Sequence, residues 1–279
     1  MDGTMIFIAN NYLKKLSKNL RFFGPFIALL FLCLLTACSE SPTAVDYHGC
    51  LDASYSLWTN DQDYTLRSVH GFMETAEWRS MGNGGSISRQ FIMAKFCDGS
   101  TGALAENLQV NGNQLYGDTS LYTSIDPIEF GGYHRWYAEA EPQIPIISDS
   151  ILSPTPIEIS YPSYLSDTVS RTGFTIKYTN PGTDEVTVYI YYDPETSREY
   201  DPTIKDSVMI IAYPIKVKAT GSVYVQPLTF EPNGFSPGFP KKGVILIIMT
   251  AMRKKIITIA GKTYVIRSGV ECSNYAFFK

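Results

Sequence analysis

The second half of the chain alternates apolar and polar side chains with a period of two. In "GFTIKYTN", Phe174, Ile176 and Tyr178 fall on one side, with Thr175 and Lys177 on the other. "EVTVYIYY" repeats this with Val186, Val188, Ile190 and Tyr192, and "GSVYVQPL" with Val223 and Val225. Alternation bounded by Gly, Pro, Asn and Asp predicts half-buried strands, because successive strand side chains point to opposite faces. "GVILIIMT", residues 243–250, is apolar on both sides, as a central strand would be. It is too short to cross a bilayer, which takes about 20 apolar residues in a helix. "KKIITIAGKTYVIRS" then predicts a hairpin turning at Ala260-Gly261-Lys262, and "SNYAFFK" a closing strand.

The first half carries fewer such signals. "SISRQFIMAKFCD" predicts a strand, and "LQVNGNQLY" a hairpin with Asn111-Gly112 in its turn, since a type I′ turn requires positive φ at both central residues. "GGYHRWYAEA" predicts a strand with His134 and Trp136 on one face and Tyr133, Arg135 and Tyr137 on the other. No segment has the period of a long amphipathic helix, so the expected class is all-β throughout. Residues 141–156, "EPQIPIISDSILSPTP", carry prolines at 142, 145, 154 and 156 and no periodicity. Proline holds its neighbours extended, so 142–156 reads as a linker between a β-rich domain, 50–141, and an antiparallel sandwich, 157–279. The latter loosely resembles immunoglobulin- and fibronectin-like domains, in strand pattern alone.

The amino terminus follows different rules. Lys14, Lys15, Lys18 and Arg21 precede an apolar run of fourteen residues, Phe22 to Leu35, which ends in small residues and Cys38. A basic region, a short apolar region and a small-residue cleavage site are the parts of a secretory signal peptide. Leu35-Thr36-Ala37-Cys38 resembles the lipobox of bacterial lipoproteins. The resemblance covers only this label. It implies cleavage between Ala37 and Cys38, and acylation of Cys38 on its sulfur and new amino group. Two or more acyl chains give stable anchoring, at roughly 0.8 kcal/mol for each buried methylene. Ser39, in place of Asp, implies sorting to the outer membrane by the habit of many such proteins. The expected order is therefore a signal peptide (1–37), a polar tether (38–49) and the two domains. The alternatives are a retained inner-membrane anchor or an ordinary cleaved signal, and Met5 is a second candidate start.

Four of the 23 basic and one of the 27 acidic side chains fall in residues 1–37, so the remainder carries a net charge of about −7. That balance argues against a nucleic-acid partner, which requires a basic face. Cys33 leaves with the signal and Cys38 is taken by lipid, leaving Cys50, Cys97 and Cys272. Three pairings are open; Cys50–Cys97 is the favoured one because both lie in the first domain, with free thiols as the alternative.

Few residues suggest chemistry. "GFSPG", 234–238, matches the spelling of a hydrolase nucleophile elbow, but Pro237 lacks the backbone N–H the oxyanion hole needs, and no histidine follows His134. "NDQD", 60–63, with Glu74, suggests calcium, yet Leu66 and Phe72 occupy the Gly and Glu slots of an EF-hand loop. "DPETSREYD" offers Asp193, Glu195 and Asp201, a set that solvated loops also use. His48, His70 and His134 have no metal-site spacing, so no metal or cofactor is expected. "GNGGS", 82–86, precedes a strand rather than a helix and implies no phosphate cradle. Nineteen tyrosines suit strands or a sugar-contacting surface. Tyr133, Trp136 and Tyr137 are the candidate glycan contacts, against the alternative that Trp136 fills a core. The expected function is a non-enzymatic envelope lipoprotein that contacts or spaces proteins. A glycan-binding surface lipoprotein is the alternative, and an envelope hydrolase using distant carboxylates the third reading.

Overall fold

The computed structural model describes residues 69–82, 85–98, 101–103, 105–117, 121–124, 127–140, 144–205, 210–227 and 240–279. The first half provides β1 (Gly71–Gly82), β2 (Gly85–Asp98), β3 (Thr101–Ala103), β4 (Asn107–Val110), β5 (Asn113–Gly117), β6 (Leu121–Ser124) and β7 (Tyr133–Ala140). There follow β8 (Ile144–Leu152), β9 (Ile159–Tyr161), β10 (Thr168–Val169), β11 (Phe174–Tyr178) and β12 (Glu185–Asp193). One short helix, α1 (Pro194–Tyr200), precedes β13 (Ile210–Lys218), β14 (Ser222–Val225), β15 (Gly243–Ile259) and β16 (Lys262–Phe278). The class is all-β, as the alternation predicts.

A thirteen-stranded sheet runs β13-β12-β15-β16-β1-β2-β6-β5-β4-β7-β8, with β10 on β16 and β3 on β2. A second sheet has the order β14-β11-β9. The large sheet is mixed, because β1 pairs with β16 in parallel, from Gly71 opposite Tyr264 to Ser80 opposite Ser273. This pairing joins the chain's two halves. The stretch expected to be a linker holds β8, hydrogen-bonded along β7 from Leu152 opposite Tyr133 to Ile144 opposite Ala140. The expected boundary at 142–156 is corrected accordingly: one sheet runs through both expected domains. Pro145 does not prevent it, since β8 pairs on one side only and an edge strand tolerates a missing donor.

Two main cores form on this frame. In one, Ile157, Ile176 and Val225 from the small-sheet side meet Val188, Ile247, Met249 and Phe278 of β12, β15 and β16. In the other, Met73, Phe96, Leu108, Trp136, Ile147, Tyr264 and Ile266 pack together. The β15–β16 hairpin serves both. Its seventeen-residue strands, at about 3.3 Å per residue, are long enough to span both cores. On the opposite face of β1 and β16, Glu74 stands across from Arg267. Their side chains are fully buried, with Arg267 Nη2 donating to Glu74 Oε2 at 3.0 Å.

Candidate functional site

The hairpin around Asn111-Gly112 builds the floor of the most ligand-like surface. Both turn residues have positive φ, 54° and 80°, and Val110 pairs with Asn113 across the turn. Leu108, Val110 and Leu115 then point into the core, so Asn107, Gln109, Gln114 and Tyr116 point out of it. β7 joins the other edge of β4, placing Tyr137 opposite Gln109 and Glu139 opposite Asn107. β8 extends the row, with Ser148 opposite Tyr137, Ser150 opposite Arg135 and Leu152 opposite Tyr133.

The expected division of β7 holds, and it separates the three aromatic candidates. Tyr133 is 60% exposed, whereas Trp136 is 2% exposed inside the second core. Trp136 is therefore withdrawn as a glycan contact; one strand cannot turn positions 133 and 136 to the same side. Tyr137 remains on the outer face, its hydroxyl donating to Glu139 Oε2 at 2.6 Å. That hydrogen bond, followed by partial burial and the carboxylate's charge, raises its phenol pKa above the ordinary value. Arg135 is exposed between the two tyrosines, and Tyr116 is 57% exposed on the same side of the sheet. Two aromatic faces about 13 Å apart along one strand, set among amides, a guanidinium and a carboxylate, form a flat surface with both stacking and hydrogen-bonding groups. Gln109 and Gln114 join the tyrosines on this face without being among the candidates named from the sequence. Their signal was present: once Asn111-Gly112 is a two-residue turn, alternation places both amides opposite the buried leucines and valine.

His134 is the buried counterpart. Its Nε2 lies 3.0 Å from the Glu129 carbonyl and donates to it. Nδ1 is thereby left as an acceptor, 2.7 Å from Thr75 Oγ1 and 3.3 Å from Ser268 Oγ. The two hydroxyls are 2.9 Å apart. A histidine beside hydroxyls has the outline of a base and a nucleophile. All three side chains are fully buried, so no substrate reaches them, and the cluster serves to satisfy polar groups within the core. Burial lowers the imidazole pKa below its ordinary value, the Glu129 carbonyl acting in the opposite sense.

The other candidates separate by position. Ala37, Cys38, Cys50, "NDQD" and "GFSPG" lie outside the described residues. Cys97 is disulfide-bonded and Cys272 is a buried free thiol, which leaves Cys50, the expected partner of Cys97, among the undescribed residues. Glu74 is committed to Arg267. In "DPETSREYD", Asp193 caps α1 by accepting from the Glu195 and Thr196 backbone N–H groups. Asp201 pairs with Lys242 at 2.5 Å. That hydrogen bond, then those from Thr203, hold its pKa down at about 2. The helix is too short to show a period, although Asp-Pro-Glu is a strong start, an N-cap acid followed by proline in the first turn. Among the described residues no group of three or more His, Cys, Asp and Glu could hold a metal ion, and no helix is long and apolar enough to cross a membrane. No protein-family model, curated protein or solved structure matches the chain.

Proposed function

We propose that this chain is a lipid-anchored protein of a bacterial envelope with a binding role, and that the outer face of β4, β5, β7 and β8 contacts a polysaccharide. One observation carries the binding assignment: Tyr133 and Tyr137 share an open sheet face with Arg135, Gln109 and Gln114, while Trp136 is taken into the core. A pyranose ring turns C–H groups toward the negative face of a phenol. Its hydroxyls match amides and carboxylates, which donate or accept in a fixed plane. The anchor rests on the likeness of residues 35–38 to a lipobox, with acylated Cys38 holding the protein at the membrane, by its signal the outer one.

The test is retention of the full-length, detergent-solubilised protein on insoluble polysaccharides. Tyr133→Ala and Tyr137→Ala each weaken retention, and the pair abolishes it. Retention unchanged in the double variant would overturn the assignment of this face. Trp136→Ala is unsuitable as a probe, because truncating a buried aromatic costs about 3–5 kcal/mol and reports on folding. Protein contact is the second reading, favoured by the outer edge of β8, which no described strand covers and where Ile146 is 47% exposed. Unpaired edges are templates for strand addition, and cross-linking in intact cells tests for such a partner.

A further inference from the structure

β12 pairs with β15 only as far as Thr187 opposite Thr250. Beyond that point no described strand pairs with this edge of β15 up to Ile259, nor with the outer edge of β8. Lys255 ties the two strands together, its Nζ donating to Asp149 Oδ1 at 2.5 Å and to the Ser150 carbonyl at 3.3 Å. Beside this tie, a cleft of about 1000 Å³ runs between Ser150–Leu152, the loop at Thr183–Glu185, Lys218 and Met252–Lys255.

Arg253 sets its chemistry. Nη2 donates to the Gly182 carbonyl, which fixes the guanidinium in place. Nε is out of solvent and has no acceptor among the described residues. Arg253 as a whole is half-buried and lines the cleft, and a planar guanidinium recognises carboxylates by pairs of N–H groups. Neither Arg253 nor Lys218 is paired with a carboxylate among the described residues. Asp184 and Glu185, the acids on the rim, are exposed, where solvent and salt screen their repulsion. Four basic side chains, Lys218, Arg253, Lys254 and Lys255, line the cleft against these two acids. The cleft also continues the tyrosine face: Ser150 and Leu152, which line it, are the cross-strand partners of Arg135 and Tyr133.

The geometry points to an acidic polysaccharide as the ligand, with Tyr133 stacked on a sugar ring while Arg253 and Lys218 take the carboxylate of a neighbouring residue in the cleft. This rests on the reading of the β7 face as a glycan surface, and it adds the ligand's charge. The experiment compares binding of the full-length protein in detergent to alginate, a polyuronate, and to neutral dextran of similar length. Alginate binds at least about tenfold more tightly. Arg253→Gln brings alginate to the level of dextran and leaves dextran unchanged, and Lys218→Gln shifts alginate in the same direction. Lys218→Gln keeps the test valid if the arginine variant loses its fold. Tyr133→Ala weakens both polymers alike. Equal affinity for the two polymers, or a preference that survives both substitutions, overturns the acidic ligand and leaves the tyrosine surface standing. Failure of the folded wild type to bind either polymer overturns the surface reading itself.

Discussion

Glu271 lies on β16 between Trp78 of β1 and Thr250 of β15, and burial raises its carboxyl pKa to about 7. Between the ordinary value of 4.5 and that figure, the folded state keeps a proton which the unfolded chain releases. Its contribution to stability is therefore complete below about pH 4.5 and is lost as the pH rises through 7. Glu271→Gln is expected to match the wild type at pH 4 and to exceed it at pH 8 by on the order of 2–3 kcal/mol, measured by urea unfolding at each pH. His134 has the opposite sign. Its folded pKa lies below the ordinary 6.5, so the unfolded chain binds the extra proton and stability falls as the pH drops below that value. Cys272 is governed by the same burial, which raises its thiol to about 11. Since the thiolate is the nucleophile, Cys272 should resist iodoacetamide at pH 8 in the native protein and react once urea unfolds it. Labelling read by peptide mass checks this, and rapid native labelling would show that the strand opens.

At the scale of elements, the hairpin of β15 and β16 determines most of what surrounds it. Its turn has two residues, Ala260 and Gly261, with Ile259 paired to Lys262. The φ values of 51° and 77° place both in the left-handed region. Glycine accepts this freely, whereas alanine sets its Cβ against the following carbonyl. Asn tolerates the same conformation, so Ala260→Asn should stabilise the protein by about 0.5–1 kcal/mol, seen as a higher urea midpoint with an unchanged slope. The turn was legible because Ala-Gly sits between two alternating runs. The length of β16 was not. Arg267, Ser268, Glu271 and Asn274 interrupt its apolar pattern, so "SNYAFFK" read as a separate strand. Three of the four belong there for a reason distant in sequence: Glu74 for Arg267, His134 and Thr75 for Ser268, and the Pro162 carbonyl for Asn274.

At the scale of the molecule, the shared sheet has a direct consequence. β1 lies between β2 and β16, and Tyr264 and Ile266 belong to the core that holds Trp136. Neither 50–141 nor 157–279 is then a complete folding unit. Each fragment, expressed alone, should lack cooperative thermal unfolding, while 39–279 retains it; a fragment with a sharp transition of its own would contradict this. The sequence by itself determined the all-β class, most of the strands, both tight turns and the two faces of β7, because each is set by alternation and turn chemistry within about ten residues. Only the tertiary structure decided that the first strand described pairs in parallel with the last, that the proline-rich stretch is an edge strand, and that Arg253 borders a cleft. Those outcomes depend on contacts between residues far apart along the chain. No local periodicity encodes such contacts; they follow from where the assembled sheet leaves its edges open and its charges buried.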